Sequence, residues 1–122
     1  MKLIGTLLVT AALTACANPQ PIHNVLNAPI GKSMSLDEIG EKIRLAGTAL
    51  GWQMQIQEPG RIYGRLDLRK HLAVVDIEYD TKQYSIKYRA SNNLNAGNGM
   101  IHRNYNGWIQ NLDKGIQTQL GL

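Results

Sequence analysis

Between Trp52 and Ala90 the chain switches between apolar and polar residues at almost every step. Strict alternation puts the two kinds of side chain on opposite faces only when the backbone is extended, so this stretch reads as half-buried sheet and not as helix. Trp52, Met54 and Ile56 share one face, with Gln53, Gln55 and Gln57 on the other. Ile62, Gly64, Leu66 and Leu68 then alternate with Arg61, Tyr63, Arg65, Asp67 and Arg69. Ala73, Val75, Ile77 and Tyr79 stand opposite Val74, Asp76 and Glu78. Tyr84, Ile86, Tyr88 and Ala90 stand opposite Ser85, Lys87 and Arg89.

Turns separate these runs at Gln57 to Arg61 (around Pro59-Gly60), at Arg69-Lys70 and at Asp80 to Gln83. Each turn fixes a register, because cross-strand partners lie on the same face. The first pairs Ile56 with Ile62 and Trp52 with Leu66. The second pairs Leu66 with Ala73, Gly64 with Val75 and Ile62 with Ile77. The third pairs Tyr79 with Tyr84, Ile77 with Ile86 and Val75 with Tyr88. All three put apolar on apolar, and a slip of one residue would undo it. The expectation is a four-stranded antiparallel meander with one apolar face.

A helix is expected on each side of the meander. Ser35-Leu36-Asp37-Glu38 fits a capping box, with Ser35 as N-cap, and the two acids suit the positive end of the helix dipole. Leu36, Ile39, Ile43, Ala46 and Leu50 follow at helical spacing, and Gly51 is a stop. After an irregular Asn- and Gly-rich loop, Ser91 to Asn104, the residues Tyr105, Trp108, Ile109, Leu112, Ile116 and Leu120 form a second stripe. Gly107 and Gly115 weaken that helix by about 1 kcal/mol each relative to Ala. Two stripes and one sheet face give an α+β two-layer sandwich in the order α-β-β-β-β-α, with both helices on the apolar face.

The opposite face is charged: Asp76 and Glu78 are expected between Arg61 and Arg65 on one side and Lys87 and Arg89 on the other. A solvated, self-neutralising face is one reading and a docking face for an anionic partner is the other. The formal net charge of +4 is small and spread along the chain, which argues against nucleic acid as a partner.

Residues 1–15 differ from all that follows. Met1 and Lys2 precede an uncharged run, Leu3 to Leu13, and the small residues Thr14 and Ala15 lead to Cys16. This is the layout of a secretory signal peptide, and the run is too short for a bilayer span of about 20 residues. Leu13-Thr14-Ala15-Cys16 resembles the lipobox of bacterial lipoproteins. The resemblance implies cleavage before Cys16, diacylglycerol on its sulfur and a further acyl chain on its amino group. Ala17, where some members carry Asp, implies the outer membrane, with the domain facing the periplasm. A lone cysteine forms no internal disulfide or thiolate cluster, and acylation gives it a use. Residues 16–34, with Pro19, Pro21 and Pro29, then serve as lipidated N-terminus and tether, although Ile22, Val25, Leu26 and Ile30 leave room for a short edge strand. The domain proper is expected at 35–122.

No catalytic constellation emerges. Ser33, Ser35, Ser85 and Ser91 lie outside any Gly-x-Ser-x-Gly elbow, no His-Glu-x-x-His occurs, and His23, His71 and His102 are far apart. No cofactor or metal site is expected. The loop and helix start, Ser91 to Trp108, is the best ligand candidate. Its amides and aromatics suit sugars, with His102, Arg103, Asn104 and Asn106 as contacts, whereas turn chemistry and core packing account for the same residues without a ligand. The stretch Ile101-His102-Arg103-Asn104-Tyr105-Asn106, with Trp108-Ile109 and Leu112 and the earlier Tyr84-Ser85-Ile86-Lys87-Tyr88, resembles small proteobacterial outer-membrane lipoproteins, a likeness that carries no activity with it. The sequence thus points to a lipid-anchored, non-enzymatic binding or structural module for an envelope protein or glycan. A peptidoglycan-directed enzyme or a lysozyme-inhibitor-like module is the alternative.

Overall fold

A computed structural model describes residues 18–122. The elements run β1 (Pro19–Pro21), β2 (Val25–Pro29), α1 (Leu36–Ala49), β3 (Gln53–Glu58), β4 (Arg61–Leu68), β5 (His71–Tyr79), β6 (Gln83–Asn92), β7 (Met100–His102) and α2 (Arg103–Leu120). Five strands form one antiparallel sheet in the order β2-β6-β5-β4-β3, and β1 pairs with β7 in a separate two-stranded sheet. The architecture is α+β, as the alternation and the two stripes imply.

The meander keeps its expected registers. Ile62 faces Ile77, Gly64 faces Val75 and Leu66 faces Ala73. Tyr79 faces Tyr84, Ile77 faces Ile86 and Val75 faces Tyr88. Ile56 faces Ile62, and Trp52 sits one residue ahead of β3, whose pairing begins at Gln53 with Arg65. Irregularity enters beyond Tyr88. The register shifts between Val74 and Val75, so that Val74 pairs with Ala90 and Arg89 is the extra residue of a bulge. Ala90 therefore leaves the apolar face and is exposed.

A sheet of four strands is corrected to five, with a two-stranded sheet beside it. β1 and β2 come from the proline-bearing segment before α1, where the edge-strand reading describes Val25–Pro29, and β7 comes from the Ser91–Asn104 stretch. Pro29 can stand in β2 because β2 is the sheet's outermost strand, where a missing N–H costs no ladder bond. The β2–β6 pairing is irregular between Val25 and Ala28, and Asn27 there takes a left-handed φ of 54°. Side chains close the gaps. The Asn27 N–H donates to Ser85 Oγ at 2.9 Å, and Asn24 Oδ1 accepts from the Tyr88 N–H at 2.8 Å. Ser85, on the polar face by alternation, is thereby buried.

Ser35 caps α1, its Oγ accepting from the Glu38 N–H at 3.1 Å. Helix α1 ends at Ala49, and Gly51 turns the chain at a φ of 94° that a side chain would strain. Helix α2 begins at Arg103, earlier than the apolar stripe alone indicates. Both helices cover the apolar face, and Ile39, Ile43, Ile62, Val75, Ile77, Ile109, Leu112 and Ile116 are fully buried between the layers. At Gly115 the helices approach closely: a Cβ there would lie 3.3 Å from Leu50 Cδ1 and 3.8 Å from Ala46 Cβ. The Ser91–Asn104 stretch is more ordered than an irregular loop, because β6 extends to Asn92, β7 and the first turn of α2 occupy its end, and Leu94 and Ile101 are buried. Asn93, Asn95 and Asn98 all have positive φ (62°, 53° and 53°), so its amide-rich composition serves the backbone.

Candidate functional site

Of the residues singled out by the sequence, Cys16 lies outside the described residues. The other four converge on the start of α2, where they divide into two that build the domain and two that face solvent.

His102 is the N-cap of α2. Its Nδ1 accepts from the Asn104 N–H at 3.1 Å, replacing the Ser or Asp that usually holds a free amide there. As the last residue of β7, it also pairs with Pro19. Asn106 is buried, with 6% of its surface exposed. Its Nδ2 donates to the Pro21 carbonyl at 2.9 Å and to Gln20 Oε1 at 3.2 Å. Its Oδ1 accepts from the His23 N–H at 3.0 Å. One amide thus satisfies both sides of the chain between β1 and β2, where no ladder exists to do so. A buried side chain with both donors and one of its two acceptor positions engaged internally acts as a structural lock.

Arg103 and Asn104 are exposed. With Gln20, Asn106, Gly107, Trp108, Gln110 and Asn111 they line an open depression of about 400 Å³ on the outer side of α2. Around the edge of α2 lies a smaller and more apolar hollow of about 180 Å³, bounded by Leu50, Trp52, Leu66, Leu68, Trp108 and Asn111. Trp108 borders both. Its ring is 6.1 Å from that of His71, tilted by 52°, and His71 Nδ1 donates to the Asn93 carbonyl at 2.8 Å. Helical spacing puts Trp108 on the apolar stripe of α2, yet its side chain is only partly buried. The hollow arises because Leu50 ends α1, Leu68 ends β4 and Trp108 opens α2 at the same end of the molecule. Only the closed hairpins bring these three together.

Charge is unevenly divided between the two ends of the sheet. The end holding the α2 start, the α1 stop and the β4–β5 turn carries Arg69, Lys70 and Arg103. Its acid is Asp67, held by Arg65 at 2.9 Å. The other end holds the acid-rich first turn of α1 (Asp37, Glu38), Glu58 and Asp80, interspersed with Lys32, Arg61 and Lys82. Between the ends, the polar sheet face is self-neutralised: Arg89 meets Asp76 at 3.2 Å and Lys87 meets Glu78 at 2.9 Å, and Arg89 also lies 5.3 Å over the Tyr63 ring. These pairs are solvent-exposed and contribute little to stability.

The shifted titrations are structural in origin. Burial, joined by the bond its hydroxyl donates to Asp113, raises the Tyr84 phenol far above its ordinary value. Burial alone accounts for most of the same shift at Tyr105, whose hydroxyl is buried without a hydrogen-bond partner. The exposed Glu41 carboxyl is lowered by its hydrogen bond from Arg44. Among the described residues no group of three or more His, Cys, Asp or Glu side chains is placed to hold a metal ion. No helix among them is long and apolar enough to cross a membrane.

Comparison with protein-family models, with curated proteins and with solved structures returned no match.

Proposed function

We propose that this chain is a lipid-anchored lipoprotein of the bacterial cell envelope, held in the outer membrane through acyl groups on Cys16. Its α+β domain acts as a non-enzymatic binding or structural module for an envelope protein or glycan. The observation that carries the reading is the succession of Lys2, the uncharged Leu3–Leu13 run and Leu13-Thr14-Ala15-Cys16, followed within three residues by the first strand of the domain. Two or more acyl chains on one residue give lasting attachment where a single chain gives only reversible binding.

The arrangement at the α2 start supports a surface that binds over one that catalyses. His102 is committed to capping and Asn106 to holding β1, and the open depression there is lined by amides, one guanidinium and the Trp108 indole. Expression in a bacterial host followed by fractionation and intact-mass measurement tests the anchor. The wild-type chain is expected in the membrane fraction, cleaved before Cys16 and carrying acyl mass, and Cys16→Ala in the soluble periplasm. A Cys16→Ala variant that stayed with the membrane would sink the reading.

A further inference from the structure

The two ends of the sheet differ in a way that an anchor at Cys16 would exploit, and the inference rests on that reading of Cys16. Only Ala17 and Asn18 separate Cys16 from Pro19, the first residue of β1. At about 3.6 Å per residue the Cα of Cys16 lies at most ~11 Å from that of Pro19. Pro19 is fixed against His102 at the start of α2. An acylated Cys16 therefore keeps Pro19, and with it the start of α2, close to the headgroup layer.

The same end carries what a lipid surface takes up. Leu50 and Leu68 are 45% and 39% exposed, large for apolar side chains, and they border one hollow with Trp108. Arg69 and Lys70 form the turn directly after Leu68, and Arg103 stands one residue past His102. Apolar tips and an indole flanked by basic groups match the boundary between acyl chains and anionic headgroups, where Trp is favoured and each Lys or Arg improves partitioning by about fivefold. The opposite end mixes Asp37, Glu38, Glu58 and Asp80 with Lys32, Arg61 and Lys82, so the excess of positive charge lies at the end nearer Cys16.

We propose that this end docks on an anionic membrane surface, with Leu50, Leu68 and Trp108 at the acyl boundary and Arg69, Lys70 and Arg103 on the lipid phosphates. A short tether makes even weak contacts effective, because it keeps the local concentration of the surface high. The opposite end and the polar sheet face are then presented outward to a partner.

The test uses the full lipidated chain reconstituted into vesicles of phosphatidylethanolamine and phosphatidylglycerol, with and without brominated acyl chains. Both tryptophans border the hollow, and Trp52 is buried at 3% exposure while Trp108 is partly exposed. Bromine is expected to quench the wild-type emission at least twofold, and to quench a Trp108→Phe variant, which reports the more buried Trp52 alone, distinctly less. Leu68→Glu with Lys70→Glu, both at exposed positions, is expected to restore most of the emission while the protein still floats with the vesicles. Protein that floats but is not quenched overturns the docking and leaves the anchor standing, and points to a protein as the cover of this end. Equal quenching on phosphatidylcholine vesicles overturns the role of the basic groups. Failure to float, with a bare Cys16 by mass, overturns the anchor and the docking with it.

Discussion

His23 and Asn106 lie 83 residues apart and are joined by a single hydrogen bond, from the His23 N–H to the Asn106 side-chain oxygen at 3.0 Å. With the two bonds that Asn106 Nδ2 donates to Pro21 and Gln20, this ties the chain's entry into the domain to its last helix. Replacing Asn106 by Ala strands a backbone donor and a carbonyl acceptor, each costing about 1–3 kcal/mol where water cannot replace the partner. Asn106→Ala is expected to lower the thermal midpoint by more than 5 °C, since about 1 kcal/mol shifts a domain of this size by roughly 4–8 °C. It is also expected to speed amide exchange at residues 19–29 before it does so in β4 and β5. Unchanged exchange in that segment would mean that β1 and β2 hold without it.

Tyr105 presents the opposite case, a buried hydroxyl with no partner, its ring 5.5 Å from Tyr88 in an edge-to-face contact. Tyr105→Phe keeps the ring and removes a group that lost its water and gained nothing. A rise in stability of about 1 kcal/mol is expected from the same asymmetry of hydrogen-bond energetics. A denaturant titration showing a loss of stability would reveal a partner for the hydroxyl in solution.

Tyr84 and Tyr105 both have folded pKa values raised from the ordinary 10.0, chiefly by burial. The unfolded chain therefore gives up these protons first as pH climbs, and the folded chain binds more protons than the unfolded one in that interval. Stability from both groups is full below pH 10.0 and is expected to fall as pH rises from there toward the folded values. Spectrophotometric titration of the folded chain to pH ~12 should leave these two phenols protonated at pH values where the unfolded chain has lost them. Ionisation of both near pH 10.0 without unfolding would contradict the burial.

Two helix glycines should respond to alanine with opposite sign. A Cβ on Gly107 meets open space, so Gly107→Ala is expected to stabilise by nearly 1 kcal/mol through helix propensity. A Cβ on Gly40 would overlap the Tyr79 hydroxyl under α1, so the same change there is expected to cost about 1–3 kcal/mol of overpacking, outweighing propensity. Thermal melts of the pair decide it; a gain in both would mean that Tyr79 moves freely.

The meander was legible because alternation and turn length together fix register, and the pairs from Ile56–Ile62 to Val75–Tyr88 required nothing else. The legible part ends at Arg89, where one extra residue flips Ala90 to the other face without any mark in local composition. β1 and β2 were obscured by their prolines, which read as spacer unless the free edge of β6 and the partner strand β7 are known. Asn106 was singled out for its amide, but its role as a lock depends on the chain returning past α2. Trp108 carries helical spacing like its neighbours, and what sets it apart is the gap left between Leu50 and Leu68. Sequence spacing describes one element at a time, and these features lie where several elements end together.

The strand order has a consequence for the sequence of events in folding. β3 to β6 can pair as each hairpin is completed, from neighbours in the chain. β1 and β2 cannot, because their partners β7 and β6 lie far downstream and Asn106 is still further along. Closing such distant contacts is slow relative to local pairing. Pulse-labelled exchange during refolding is expected to protect β4 and β5 before residues 25–29, and reversal of that order would refute the scheme. In a chain emerging amino end first, the opening residues of the domain are made first and seated last, and until they arrive β6 stands as a bare edge open to any passing strand.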